Sequence, residues 1–577
     1  MVNLHKSRGS ILFGILQSKN SAAVDSNRKM LYNIKVGFIG QKHKSVKTLM
    51  YHIEAVNFFK EVFILVLRWI ILVVYLMLMI GIGAYYRKKT ANVNDFVLGG
   101  RGLGPWFTAF AYGTSYFSAV IFVGYAGKFG WAYGVASTWV GIGNALIGSL
   151  LAWLILGKRT RTMTKHLDAK TMPEFFELRY NSKTLKTVSA LIIFVFLIPY
   201  TASVYNGLSR LFEKSFHIDY EWCIVAMAVF TAIYVIMGGY KATALNDFIQ
   251  GIIMLIGIAA VVVAVLKVNG GFSGSMEAMG AIPDAKGNTG VFNSIIGPDP
   301  INLIGVVILT SLGTWGLPQM VQKFYAIKDD KSVVTGTVVS TIFAVVVAGG
   351  CYFLGGFGRL FMEKNEKGEP IDGFDAIVPT MMDSLPSALF ALIIVLVLSA
   401  SMSTLSSLVL TSSSTLTIDL IKPLKKNMNE KEEVRIMRIF IAVFLLISVA
   451  IAVYSLRGAK QDAMVISSLM GISWGALAGA FLAPFMYGLF WKGVTKAAVM
   501  ASFICGVGIT VVHMMIYTFG VIPDAPKTLG GLALASPVNA GAFAMLFGLI
   551  VVPVVSLITK SNDEDKKAAE AAFECYK

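Results

Sequence analysis

Charge is scarce in this chain. Of its 577 residues only 14% are Asp, Glu, Lys or Arg, where a soluble domain carries about 25%. That shortage excludes a water-soluble multidomain protein. Cysteine is scarcer still. Cys223, Cys351, Cys505 and Cys575 stand far apart, with no CxxC and no Cys/His cluster, so neither a zinc site nor a disulfide framework is expected. No GxxxxGK[ST] loop occurs, which argues against an ATP-driven pump. No nucleophile–base pair or metal motif lies in the apolar runs, which argues against a membrane enzyme. The first 61 residues lack the single apolar core and small-residue cleavage site of a signal peptide.

What is present is apolar length. Hydrophobic residues make up 56% of the chain, and the mean hydropathy is +0.69. They gather in runs near the ~20 residues that cross a bilayer. Thirteen candidate spans read as 69–86, 106–127, 135–157, 185–206, 221–238, 246–268, 301–325, 334–360, 386–416, 435–455, 464–491, 495–518 and 540–559. The expected organisation is a basic tail over 1–61, disordered or upstream of the true start, a transmembrane domain over 62–560, and a charged cytoplasmic tail over 561–577. The net charge of +17 is explained by basic loops at a membrane face rather than by nucleic acid.

Those loops also suggest an orientation. Segments 87–105, 158–184 and 418–434 carry four, seven and four Lys/Arg, and they fall on one side of a thirteen-span count. Basic short loops face the cytoplasm, so the expectation is a multi-pass plasma (inner) membrane protein with its C-terminus cytoplasmic and its N-terminus outside. The ten Lys/Arg of residues 1–61 run against that placement of the N-terminus.

Two spans carry break signals. The second has Gly113 among Thr114, Ser115, Tyr116 and Ser118. The seventh has Gly313, Gly316 and Pro318 beside Thr310, Thr314 and Gln319. Interrupted helices at matching positions of two halves point to a transporter site, with spans 2–6 and 7–11 as the halves. The ninth span is crowded with hydroxyls over Leu398–Ser407, and residues three and four apart share a helix face. The carbonyl of Ala400, the hydroxyls of Ser403 and Thr404, and freed carbonyls of Thr114 and Phe117 make an oxygen set suited to a hard cation. Helix packing with back-bonded hydroxyls is the rival reading. Asp247, at the start of span six, is either a dipole-complementing acid or a cation partner. Lone His513 is expected to be a satisfied structural histidine.

Taken together, Asp95–Gly104, Gly113–Ala119, Gly238-Gly-Tyr240, Asn246–Gln250, Gly316-Leu-Pro318 and Ala400–Ser407 resemble the sodium/solute symporter family over about 69–559. The resemblance implies an all-α integral membrane fold of the leucine-transporter type, a 5+5 inverted repeat with discontinuous helices and extra helices at both ends. It implies Na⁺ as coupling ion, held by Thr114, Phe117, Ala400, Ser403 and Thr404. A second Na⁺ would use Asp247, Ser403, Ser406 and Ser407. A solute cavity is expected beside Tyr116, Ser118, Thr310 and Thr314. Tyr116, Ser118-Ala119 and Gly-Leu-Pro lie nearest the pantothenate branch, so a small carboxylate or another organic or amino acid is the expected solute. Proline, sugar or sialic acid, or a proton-coupled solute, are the alternatives. The partners expected are that solute, Na⁺ and lipid, with no cofactor and no obligate protein partner.

Overall fold

A computed structural model describes residues 66–577 apart from 88, 89, 91, 217, 426 and 459–464. The expected tail over 1–61 lies outside the described residues. The features that follow belong to the compact unit Arg68–Lys577.

Among the described residues, ten helices are long and apolar enough to cross a membrane. There are eleven if one bent pair forms a single span. In chain order the long elements are α1 (Val66–Tyr86), α2 (Pro105–Tyr116), α3 (Val120–His166), α4 (Lys183–Phe216) and α5 (Tyr220–Val268). The bent pair follows as α6 (Pro300–Gly316) and α7 (Pro318–Tyr325), then α8 (Asp330–Gly355) and α9 (Ser387–Thr415). The rest are α10 (Glu430–Gly458), α11 (Val465–Phe490), α12 (Lys496–Tyr517), α13 (Pro537–Ile558) and a short α14 (Asp563–Phe573).

The thirteen expected spans and this count differ for a physical reason. Elements α3 and α5 are 47 and 49 residues long, about 70 Å at 1.5 Å per residue, against a ~30 Å hydrocarbon core. Each contains a glycine with left-handed φ: Gly134 (φ 61, ψ −142) and Gly239 (φ 56, ψ −157). The expected boundaries 127/135 and 238/246 fall beside these two glycines. No other residue fits there, because a Cβ would lie 2.2 Å from the Phe292 carbonyl oxygen at Gly134 and 2.8 Å from the Phe96 ring at Gly239.

The helices sort into an inner and an outer set. Across its most apolar window α9 is 83% buried, whereas α12 is 28% buried and turns Ile504 and Val512 outward. Small hydroxyl residues let α9 sit deep, since they allow backbones to approach closely and bond their own turns. Tyr75 of α1 ties the centre together, its hydroxyl accepting from Gln250 Nε2 of α5 at 2.9 Å and from Ser399 Oγ of α9 at 3.1 Å.

Among the described residues, strand pairing is confined to a small hairpin, Thr528–Leu529 against Leu532–Ala533, and two isolated bridges. The charged end of the chain is a docked helix. Phe573 lies under the Arg179 guanidinium at 5.0 Å, and the Tyr576 hydroxyl donates to the Arg159 carbonyl at 2.8 Å. His513 Nε2 sits 3.0 Å from the Leu534 carbonyl, a local loop contact.

Candidate ion and solute site

Two helix breaks organise the centre. The first falls between α2 and α3, at Phe117 (φ −86, ψ 109). The Ser118 hydroxyl accepts from the Val120 N–H at 3.2 Å, and its carbonyl accepts from Ile121 and Phe122. Ser118 therefore caps the second half-helix, as serine does at helix starts. The second break is Leu317 (φ −76, ψ 122), between α6 and α7. Here Pro318 is the cause: it pushes the preceding residue out of the helical region and is itself suited to the first turn of a helix.

This corrects part of the expectation. Gly113 and Gly313 are not breaks; helix runs through both. They are thin places where helices meet. A Cβ on Gly113 would lie 2.5 Å from the Phe343 ring, and one on Gly313 would lie 3.0 Å from the Trp474 ring. Gly316 and Pro318 do flank a break.

The first break frees carbonyls that α9 meets with hydroxyls. Ser403 Oγ lies 3.1 Å from the Thr114 carbonyl oxygen and 3.2 Å from that of Ala400. Thr404 Oγ1 lies 3.3, 3.4 and 3.1 Å from the carbonyl oxygens of Thr114, Phe117 and Ala400. All five residues are fully buried. These separations are long for hydroxyl hydrogen bonds, which centre near 2.7–2.8 Å. Ser403 Oγ also donates to the Ser399 carbonyl at 2.9 Å, so back-bonding and cross-helix contact share the hydroxyl, and the longer separations are compatible with the ~3.4 Å edges of an oxygen polyhedron around a cation bonded at about 2.4 Å. The arrangement is neutral, compact and all-oxygen, the donor set that hard cations prefer.

The residues expected to hold a second cation form a different kind of pocket. Ser406 Oγ donates to the Ser403 carbonyl at 2.8 Å. Ser407 Oγ is 2.7 Å from Ser115 Oγ and accepts from Lys323 Nζ at 2.9 Å. Lys323 Nζ is also 3.9 Å from a carboxylate oxygen of Asp247 and 4.8 Å from the centre of the Tyr240 ring. Asp247 is fully buried, and neither of its oxygens has a hydrogen-bond partner among the described residues. Lys323 was not singled out from the sequence, although a lysine in an interrupted span is itself a signal.

The solute side is also rearranged. The Thr310 hydroxyl donates to the Val306 carbonyl at 2.9 Å, and that of Thr314 to the Gly148 and Ser311 carbonyls at 3.0 and 2.9 Å. Both are satisfied inside the scaffold. Tyr116, by contrast, is buried with a hydroxyl that has no partner among the described residues. Tyr200 and Tyr352 neighbour it, Asn144 neighbours Tyr352, and Trp474 meets Tyr200 edge-on at 5.8 Å. The hydroxyls of Tyr200 and Tyr352, Nδ2 of Asn144 and Nε1 of Trp474 are likewise buried. Asn144 Oδ1 already accepts from Ser311 Oγ at 3.2 Å, which leaves its amide N–H₂ for the interior. Tyr200 lies within bonding reach of Trp474 and Ser118, and Tyr352 of Asn144, so these groups form a buried polar cluster around Tyr116, whose own hydroxyl is left without a partner among the described residues.

Broken helices around a buried set of oxygens, beside a buried polar cluster, define a membrane transporter of the interrupted-helix class. Comparison with known proteins supplies the family. Residues 96–506 match the model of the sodium:solute symporter family. Sodium/proline symporters of Staphylococcus aureus, from strains JH9 and NCTC 8325 among others, are 30% identical over 467 residues, 77% of this chain and 85% of theirs. A solved structure of a Na⁺-coupled sialic acid symporter matches with a TM-score of 0.64 at 17% identity, over 85% of this chain and 98% of that one. The chain belongs to the sodium:solute symporter family, with the leucine-transporter-type fold, and is a transporter rather than an enzyme. Na⁺ is its coupling ion.

Proposed function

We propose that this chain is a secondary active importer that binds one Na⁺ among the oxygens of Thr114, Phe117, Ala400, Ser403 and Thr404. The observation that carries this reading is the hydroxyl pair of α9 facing the freed carbonyls of the first break at 3.1–3.4 Å. Na⁺ there pins α9 to the junction of α2 and α3, and Tyr116 is part of the same junction. Ion binding thereby shapes the wall of the solute chamber. Rocking of one repeat against the other then opens the site inward, where low Na⁺ releases the ion and the solute follows. The C-terminus lies on the cytoplasmic side, with the basic loops.

The solute we propose is a small organic molecule bearing a carboxylate. Tyr116, Tyr200, Tyr352, Asn144 and Trp474 offer donors with no charged side chain among them, which suits a carboxylate and its polar neighbours. Proline, as carried by the Staphylococcus aureus relatives, and pantothenate both fall in this class. Moving one charge down 100 mV releases about 2.3 kcal/mol, enough for roughly fifty-fold accumulation of a neutral or zwitterionic solute. A monoanion moving with one Na⁺ would instead draw on the Na⁺ concentration gradient alone.

A thermal-shift screen of purified protein tests the solute class. Proline, pantothenate, sialic acid and glucose would each be added in Na⁺ and in K⁺, since a ligand that binds the native state raises its stability by mass action. A carboxylate that stabilises in Na⁺ and not in K⁺ is the expected result. Stabilisation by glucose alone, or equally in both salts, would contradict it.

A further inference from the structure

We propose that the Lys323 ammonium is the resident cation of the pocket formed by Asp247, Ser407 and Tyr240, so that one Na⁺ and not two accompanies each solute. The inference rests on the preceding reading that Na⁺ occupies the neighbouring oxygen cage.

Three observations converge on it. The ammonium donates to Ser407 at 2.9 Å, taking the oxygen that a second Na⁺ would need. It stands 3.9 Å from the Asp247 carboxylate, a fully buried acid that no hydrogen bond satisfies among the described residues. It faces the Tyr240 ring at 4.8 Å, a contact that favours a cation over a neutral group. A buried carboxylate needs a compensating charge, and here the chain provides it from the half-helix that follows the second break. A Na⁺ entering between Asp247 and Ser407 would meet a like charge at about 4 Å, which in a protein interior weakens binding by roughly a thousandfold. Ser407 also touches Ser115 of α2, so Lys323 links both broken helices to α9 without consuming an ion.

The arrangement differs from the neutral cage a turn away on α9, where Ser403 and Thr404 present oxygens only. Lysine reaches the pocket because Leu317 redirects the chain by 44°, which brings α7 against α9 and α2.

Equilibrium binding of radioactive Na⁺ to the purified full-length protein tests this without knowing the solute. Wild type is expected to hold one Na⁺ per chain, and Lys323→Met two, because the lost ammonium leaves Asp247 to attract a metal ion. Lys323→Arg is expected to stay at one, and the double variant Asp247→Asn/Lys323→Met to return to one. Two Na⁺ on wild type, or one on Lys323→Met, would overturn the proposal. If Lys323→Met does not fold, the wild-type count still decides. No Na⁺ on wild type would instead sink the reading of the oxygen cage itself, a distinguishable outcome.

Discussion

Two pockets on one helix differ in how they are made electrically complete. Around Ser403 and Thr404, α9 meets backbone carbonyls and nothing charged, with the cross-helix hydroxyl contacts at 3.1–3.4 Å and one back-bond, Ser403 to the Ser399 carbonyl, at 2.9 Å. Around Ser407, one turn on, α9 meets a buried carboxylate and a buried ammonium. On the proposed reading, neutral oxygens leave room for a cation that comes and goes, whereas a built-in ammonium closes its pocket to a visiting ion. A transporter needs its ion site weak enough to empty, and dipoles achieve that better than a full charge would. The two serine faces read alike along the chain; their partners across the helix interfaces separate them.

The sharpest way to break this comparison is the double variant Ser403→Ala/Thr404→Ala. With two of five ligands gone, the Na⁺ concentration for half-maximal uptake should rise about a hundredfold, at roughly tenfold per lost ligand, while thermal stability in K⁺ changes little. An unchanged Na⁺ dependence would return these hydroxyls to packing. Next in size is Tyr116→Phe, which removes one chamber donor. The apparent affinity for solute should fall about tenfold, and the Na⁺ count should stay the same. Ser407→Ala sharpens the contrast from the other side. Because its pocket holds no Na⁺ in this account, the half-maximal Na⁺ concentration should stay within about threefold of wild type, the size of effect expected from losing one neutral contact to Ser115 beside the cage. Gly113→Ala separates packing from ion binding. Its Cβ meets the Phe343 ring at 2.5 Å, so thermal stability should fall by about 1–3 kcal/mol with Na⁺ dependence retained. The smallest effect belongs to truncation after Lys560. It removes the ion pair of Lys496 with Asp565 at 2.9 Å and the Phe573 anchor, and should lower Tm by only about 2 °C without altering uptake.

The order in which these features became legible follows from how local each one is. The oxygen set of α9 lies within five residues, and its partners lie in one short motif, so composition, helical spacing and family resemblance together point to the five residues whose oxygens the structure brings together. The break in α2 was placed at Gly113 because glycine is the commonest sign of interruption. The actual device is the capping hydroxyl of Ser118, five residues past that glycine. The break at Leu317 was visible because Pro318 acts on its own neighbour. Thr310 and Thr314, expected beside the solute, have hydroxyls bonded to the carbonyls of Val306, Ser311 and Gly148, a partnership that residue type alone does not reveal. The polar cluster around Tyr116 is not legible in the sequence. Asn144, Tyr200, Tyr352 and Trp474 come from four different helices, and each alone reads as an ordinary residue of an apolar span. Lys323 carried a signal in its depth, but its meaning depends on Asp247, which is 76 residues earlier in the chain.

The central claim is that a Na⁺ gradient drives solute through this protein, and the most direct test is uptake into proteoliposomes. The solute identified by stabilisation would be supplied outside, with an inward gradient of Na⁺ or, in parallel, of K⁺ with and without a pH gradient. The account predicts concentrative uptake that requires Na⁺, collapses when the Na⁺ gradient is dissipated, and is lost in Ser403→Ala/Thr404→Ala. Uptake that follows the pH gradient and ignores Na⁺ would contradict it.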